Sequence, residues 1–220
     1  MKKILALLPL VAVLGLAGCG GDKDGDEGEG QKLEITKEQA EQKMRTLATE
    51  EGYEISFTTT EDGQESESTT IGMKEQYFWT ESNGSKDMAY AEENAYTPFE
   101  WDYEANMFKR GTKIEVEGAY DLLVSAATAH FYMANAYDGL DGFKKVKDLT
   151  YVGRSATEYK FHQNAYGLAV VDIDLIIDKA TGITLYWDAS GHNYEGEGGQ
   201  AGYKVTSFKT GAQVVVPNHD

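Results

Sequence analysis

Val170-Val171-Asp172-Ile173-Asp174-Leu175-Ile176-Ile177-Asp178, then Lys179-Ala180-Thr181-Gly182, then Ile183-Thr184-Leu185-Tyr186-Trp187, is the stretch that decides the fold. Val171, Ile173, Leu175 and Ile177 alternate with Asp172, Asp174 and Asp178, which is the period-2 pattern of a strand with one buried face. Lys179 to Gly182 reads as a tight turn. Ile183, Leu185 and Trp187 line the returning strand. A hairpin of this kind belongs to an antiparallel sheet with one solvated side, so Asp172 and Asp174 read as a solvated outer face.

The same grammar extends in both directions. Residues 151–152 and 155–161 precede the hairpin as strands, a Gly-rich loop follows over residues 190–202, and residues 203–208 form the last clear strand. Upstream, Tyr53, Ile55 and Phe57 alternate with Glu54, Ser56 and Thr58. Asp62-Gly63 and Asn83-Gly84 are hairpin dipeptides. Strands are predicted over residues 66–74, 75–81, 86–92, 95–103 and 107–110. Before them, Thr36-Lys37-Glu38-Gln39 forms a capping box, and Ala40, Met44, Leu47 and Ala48 share one helical face. Gly52 stops that helix. Between the two strand blocks, residues 120–137 are apolar nearly all round and predict a covered helix. Gly139 and Gly142 break it, and a short second helix is predicted over residues 143–146. The expected fold is α+β: a curved antiparallel sheet, or half-barrel, with helices over its concave face. No domain boundary is visible after Lys32, so residues 33–220 are expected to form one domain.

The amino-terminal segment carries an address. Lys2 and Lys3 precede an apolar run over residues 4–16, followed by Leu16-Ala17-Gly18-Cys19. This is a secretory signal layout, too short for a span of about 20 apolar residues. Cys19 is the single cysteine of the chain. The four residues resemble the lipobox of bacterial lipoproteins, which implies cleavage after residue 18 and acylation of Cys19, with palmitate-class chains as membrane anchor. Residues 1–18 are then a signal peptide and residues 19–32 a lipidated, acidic tether without an apolar residue in 20–30. Gly20 in the second mature position leans toward the outer membrane or cell surface. An extracytoplasmic lipoprotein is expected.

Charge excludes some partners. The 220-residue chain carries a formal −17, and loss of Lys2 and Lys3 takes it to −19. Phosphate backbones need Lys and Arg to neutralise them, so no nucleic-acid partner is expected. The body should not adhere to anionic headgroups either. Contact with the membrane is expected through the lipid on Cys19 alone.

Motifs for chemistry are absent or out of context. No Gly-x-Ser-x-Gly elbow, phosphate loop or His-Glu-x-x-His occurs. Asp22, Asp24 and Asp26 alternate, but Glu27 and Leu33 stand where a calcium loop needs glycine and glutamate. His130, His162, His192 and His219 lack ligand spacing, and His130 alone sits in an apolar helix. No metal, no cofactor and no catalytic residue is expected, and the chain is read as not an enzyme. The aromatic residues are the candidates for binding, because ligand sites are concave and aromatic-rich. The candidate lining residues are Tyr77, Trp79, Phe99, Trp101, Phe131, Met133 and Trp187.

Three stretches resemble the LolA/LolB and LppX/LprG superfamily of lipoprotein and lipid carriers: residues 99–108 (FEWDYEANMF), residues 151–161 (YVGRSATEYKF) and the hairpin of residues 174–185 with its Asp-x-x-Thr-Gly turn. The resemblance implies an apolar cavity between sheet and helices that holds a lipid or acylated ligand. It implies no shared catalytic residues. Two readings stand at this point: a membrane-anchored lipoprotein that binds or transfers a lipidic or lipoprotein ligand, or a non-catalytic envelope interaction module whose concave face is filled.

Overall fold

A computed structural model describes residues 36–129, 143–165, 169–193 and 198–220. The signal peptide, the tether with Cys19, the carboxyl half of the apolar helix with His130, Phe131 and Met133, and the Gly139/Gly142 break lie outside the described residues.

The first helix, α1, spans Lys37–Thr46. Its capping box is formed as the sequence predicts: the Thr36 hydroxyl accepts from the Gln39 N–H and the Gln39 side chain accepts from the Thr36 N–H. The helix widens into a π turn, Leu47–Glu51, and stops at Gly52, whose φ of 83° suits glycine. The second helix, α2, is described over Ala119–Ala129.

Among the described residues there are thirteen strands: β1 Tyr53–Glu61, β2 Gln64–Glu65, β3 Thr69–Lys74, β4 Tyr77–Ser82, β5 Ser85–Glu92, β6 Ala95–Asp102, β7 Met107–Arg110, β8 Ile114–Glu115, β9 Lys144–Tyr151, β10 Arg154–Ala165, β11 Ala169–Asp178, β12 Thr184–Asn193 and β13 Gly198–Thr210. They form one open, curved antiparallel sheet in the order β7-β6-β5-β4-β3-β1-β13-β12-β11-β10-β9, with β2 on β1 and β8 on β6. The fold class is therefore the α+β half-barrel type that the sequence predicts. The sheet has an N-terminal wing (β3 to β7) and a C-terminal wing (β9 to β12), joined where β1 pairs with β13.

Side-chain direction in the N-terminal wing follows from register. The Tyr53 hydroxyl donates to the Ala127 carbonyl of α2 at 2.7 Å, so Tyr53 and Ile55 point to the helices. Their partners Met73 and Ile71, and in turn Phe78 and Thr80, share that side. Ala40, Met44, Leu47 and Ala48 of the first helical segment and Val124 and Ala127 of α2 are buried there.

The structure differs from the sequence reading in four places. Residues 143–146 are not a helix: Lys144–Tyr151 is a strand on β10, with Lys144, Lys145 and Lys147 exposed at the sheet edge. Charged lysines are common guards of such edges. The Gly-rich loop is shorter than expected, because β12 and β13 continue through Gly191↔Gly199 and His192↔Gly198. A Cβ on Gly198 would lie 2.1 Å from the Gly191 carbonyl oxygen, so glycine lets the arms close there. Residues 66–81 contain an unmarked turn at Glu75 and Gln76, with φ of 53° and 70°. Neither residue is a usual marker of left-handed backbone. Asp178, read as part of the polar face, is buried at 1 % exposure. Arg154 reaches it through Nε (2.8 Å) and Nη2 (3.0 Å), and it also accepts from the Thr181 N–H and hydroxyl. The Asp-x-x-Thr-Gly turn is thus held by a buried carboxylate. Asp172 and Asp174 do lie on the outer face, paired across the strands with His162 (2.6 Å) and Lys160 (3.2 Å).

Candidate binding site

Of the seven predicted lining residues, four come together. Trp79 pairs with Gly72, and Tyr77 with Lys74, so both point away from the helices. Register carries that side across the wing: Tyr77↔Tyr90, Trp79↔Met88, Met88↔Phe99 and Trp101↔Phe108. Tyr77, Trp79, Phe99 and Trp101 therefore form an aromatic floor with Met88, Tyr90 and Phe108. Gly72 makes room for it: a Cβ there would stand 2.1 Å from Trp79 Cζ2. Trp101 meets Phe108 edge-on at 4.9 Å, and the Lys86 ammonium lies 4.3 Å from the Trp101 ring.

This floor is on the side opposite the helices, and it is covered by the chain itself. After β13, a short 3₁₀ turn at Gly211–Gln213 redirects the backbone. Residues 214–220 then cross the wing. Val214 is buried on the floor and Val216 packs beside it. The His219 ring lies tilted 4.6 Å from Tyr77 and 5.8 Å, edge-on, from Phe99. Lys74 Nζ donates to the Val214 carbonyl at 2.8 Å. At the far edge the segment joins β7 in parallel: the Phe108 N–H donates to the Asn218 carbonyl (2.9 Å), and the Asp220 N–H donates to the Phe108 carbonyl (3.2 Å). The Arg110 N–H donates to the Asp220 carboxylate at 2.7 Å. The path requires extended chain. β1 to β7 is five strand spacings of about 4.8 Å, which seven or eight residues at about 3.3 Å each just span.

Trp187 is not part of this floor. It sits in the C-terminal wing, touching both the helix-side cluster and a second cluster of Phe143, Tyr159, Ile173, Leu175 and Ile177. Phe131, Met133 and Cys19 lie outside the described residues. The reading of the sequence missed Met88, Tyr90, Val214, Val216 and His219 as floor and cover. The alternation of Met88 and Tyr90 in β5 was the available signal for two of them.

The helix-side cluster holds a different feature. Tyr203 packs at a tilt against Phe57, 4.9 Å between ring centres, and lies opposite Trp187 in register. Its hydroxyl is buried and has no hydrogen-bond partner among the described residues. Burial pushes its ionisation far above the ordinary tyrosine range, so it stays a neutral phenol. Tyr53 is buried in the same cluster, but its hydroxyl is satisfied by Ala127. No group of three or more His, Cys, Asp or Glu side chains among the described residues could hold a metal ion. No described helix is long and apolar enough to cross a membrane.

No family model matches the chain, and no curated protein sequence matches it. Solved structures do. The MucB chain of the Pseudomonas aeruginosa MucA/MucB complex aligns at 12% identity and a TM-score of 0.36, over 79% of this chain and 57% of that one. MucB in complex with MucA(peri) aligns at 13% and 0.34, over 79% and 55%. A putative outer membrane lipoprotein-sorting protein domain from Vibrio parahaemolyticus aligns at 10% and 0.25, over 80% and 92%. The chain spans little more than half the length of the MucB chains.

Proposed function

We propose that the chain is a non-catalytic extracytoplasmic domain, anchored through lipid on Cys19, that holds an apolar, acyl-bearing ligand on the helix-covered side of its sheet. The observation that supports this reading is the Tyr203 hydroxyl. A buried hydroxyl without a partner costs about 1–3 kcal/mol. A ligand carbonyl or ester oxygen accepting from Tyr203 would recover that cost, while the surrounding Phe57, Trp187 and Val205 would meet the acyl chain. One polar group in an apolar wall is the usual composition of such a site. Burial of chain atoms would supply the affinity, at about 25 cal/mol per Å².

The test is lipid extraction and mass spectrometry of the purified protein, with displacement of an apolar fluorescent probe by added lipids. The expected result is a lipid beyond the protein's own anchor, and about 5- to 10-fold weaker displacement in Tyr203→Phe. A wild-type protein with neither bound lipid nor displacement ends the reading.

A further inference from the structure

The cover on the aromatic floor is a peptide, and it is held in the way sheet-edge peptide sites hold their ligands. We infer that the floor of the N-terminal wing, with the β7 edge, is a peptide-binding groove that residues 214–220 occupy in cis. The partner it fits is an extended segment of another protein. That segment carries small β-branched residues at two alternating positions, a histidine or aromatic residue three positions later, and a carboxylate next to it. This inference is independent of the Tyr203 site, which lies in the helix-side cluster.

Four observations carry it. First, the contacts at the β7 edge are between backbone atoms, Phe108 with Asn218 and Asp220, and backbone pairing does not select sequence. Second, selectivity comes from three side chains set into the floor, Val214, Val216 and His219, while Val215 is 74% exposed between them. Third, the cover is incomplete: Tyr77, Tyr90 and Trp101 remain half-buried beneath it. Fourth, the far end seats a carboxylate. At the β7 end of the groove the Asp220 carboxylate accepts from the Arg110 backbone N–H at 2.7 Å, and the Arg110 side chain, on the floor side by register with Phe99, is exposed beside it.

The geometry also shows how exchange would proceed. Lys74 clamps the Gly211 and Val214 carbonyls at the near end, at 3.4 and 2.8 Å. Gly211 takes a φ of 60° there. Residues 215–220 can peel from the floor while that end stays fixed. A tethered cis segment faces its groove at an effective concentration in the millimolar range, so the wild-type chain masks the site against weak partners.

The experiment is a titration of the full chain with a synthetic peptide of residues 212–220, read by Trp79 and Trp101 fluorescence. It is repeated on Val216→Ser/His219→Ala, in which the cis segment is weakened. The expected result is at least 10-fold tighter binding by the variant than by wild type, with one peptide bound per protein in native mass spectrometry. A folded variant that binds no peptide overturns the proposal. So does a variant that forms dimers instead, which would make a second copy the occupant. Amide exchange of Phe108 and Asp220 in the wild-type chain guards against a variant that does not fold. Exchange at least 10-fold faster than at Ile55 is expected of a displaceable segment. Exchange as slow as Ile55 overturns the proposal without any variant.

Discussion

The two wings of the sheet meet at the same seam but are covered differently. The N-terminal wing has helices on one side and residues 214–220 on the other, so both alternations of β4 are apolar: Phe78 toward the helices, Tyr77 and Trp79 toward the cover. The C-terminal wing instead carries polar cross-strand pairs on one side, the His162–Asp172 hydrogen bond and the Lys160–Asp174 ion pair, and an apolar cluster on Ile173 and Leu175. What covers a sheet thus decides how its strands read: continuous apolar runs where both faces are buried, alternation where one is wet.

The comparison can be broken most severely at Asp178, the charged side chain buried in the C-terminal wing. Asp178→Ala leaves Arg154 without its carboxylate and should cost about 3–5 kcal/mol, seen as a lower urea midpoint. Adding Arg154→Met should restore part of that loss. In the N-terminal wing, Gly72→Ala drives a methyl into the Trp79 ring. The expected cost is about 1–3 kcal/mol with a shift in tryptophan emission. A neutral Gly72→Ala would mean that the far face is not packed as a core. Val214→Ala removes buried cover and should cost about 1.5 kcal/mol, with faster exchange at Phe108. Thr36→Ala, far from either cover, should cost about 1 kcal/mol through its lost cap.

The smallest effect belongs to the exposed rim of the C-terminal wing. Hydrogen bonds from Lys179, Lys145 and Thr157 hold the Asp148 carboxyl well below the ordinary range. A depressed carboxylate stabilises the fold above its unfolded value of about 4 and loses that contribution as pH falls through its folded value. Asp148→Asn should therefore lower the midpoint slightly at pH 7, less in high salt, and its difference from wild type should shrink as the solution is acidified below about pH 4.

Much of the architecture was legible because local chemistry and tertiary contact agree. Thr36 and Gln39 cap α1, Asp62-Gly63 and Asn83-Gly84 turn with positive φ, and Ile173 and Leu175 are buried as their alternation requires. The candidate site was legible only in part. Tyr77, Trp79, Phe99 and Trp101 announce an aromatic face, but nothing local says which side of the sheet they take. That follows from register through Gly72 and Lys74. Nor does Val214-Val215-Val216-Pro217-Asn218-His219 announce a cover, since its partners lie more than a hundred positions earlier. Glu75-Gln76 and Lys144-Lys145 were misread because the turn and the edge strand there depend on pairing with neighbours, not on their own propensity.

The seam between the wings has a consequence for how the chain is made. β1 and β13 pair at the centre of the sheet, and Glu54 meets Lys209 across 155 positions. Strand pairings of such separation are slow, because the entropy of closing the loop must be met before the contacts reward it. The middle of this sheet cannot close until almost all of the described chain has emerged from the ribosome or translocation pore. Until then the N-terminal hairpins β3 to β7 wait with their aromatic face bare, since the segment that covers it emerges last of all the described residues.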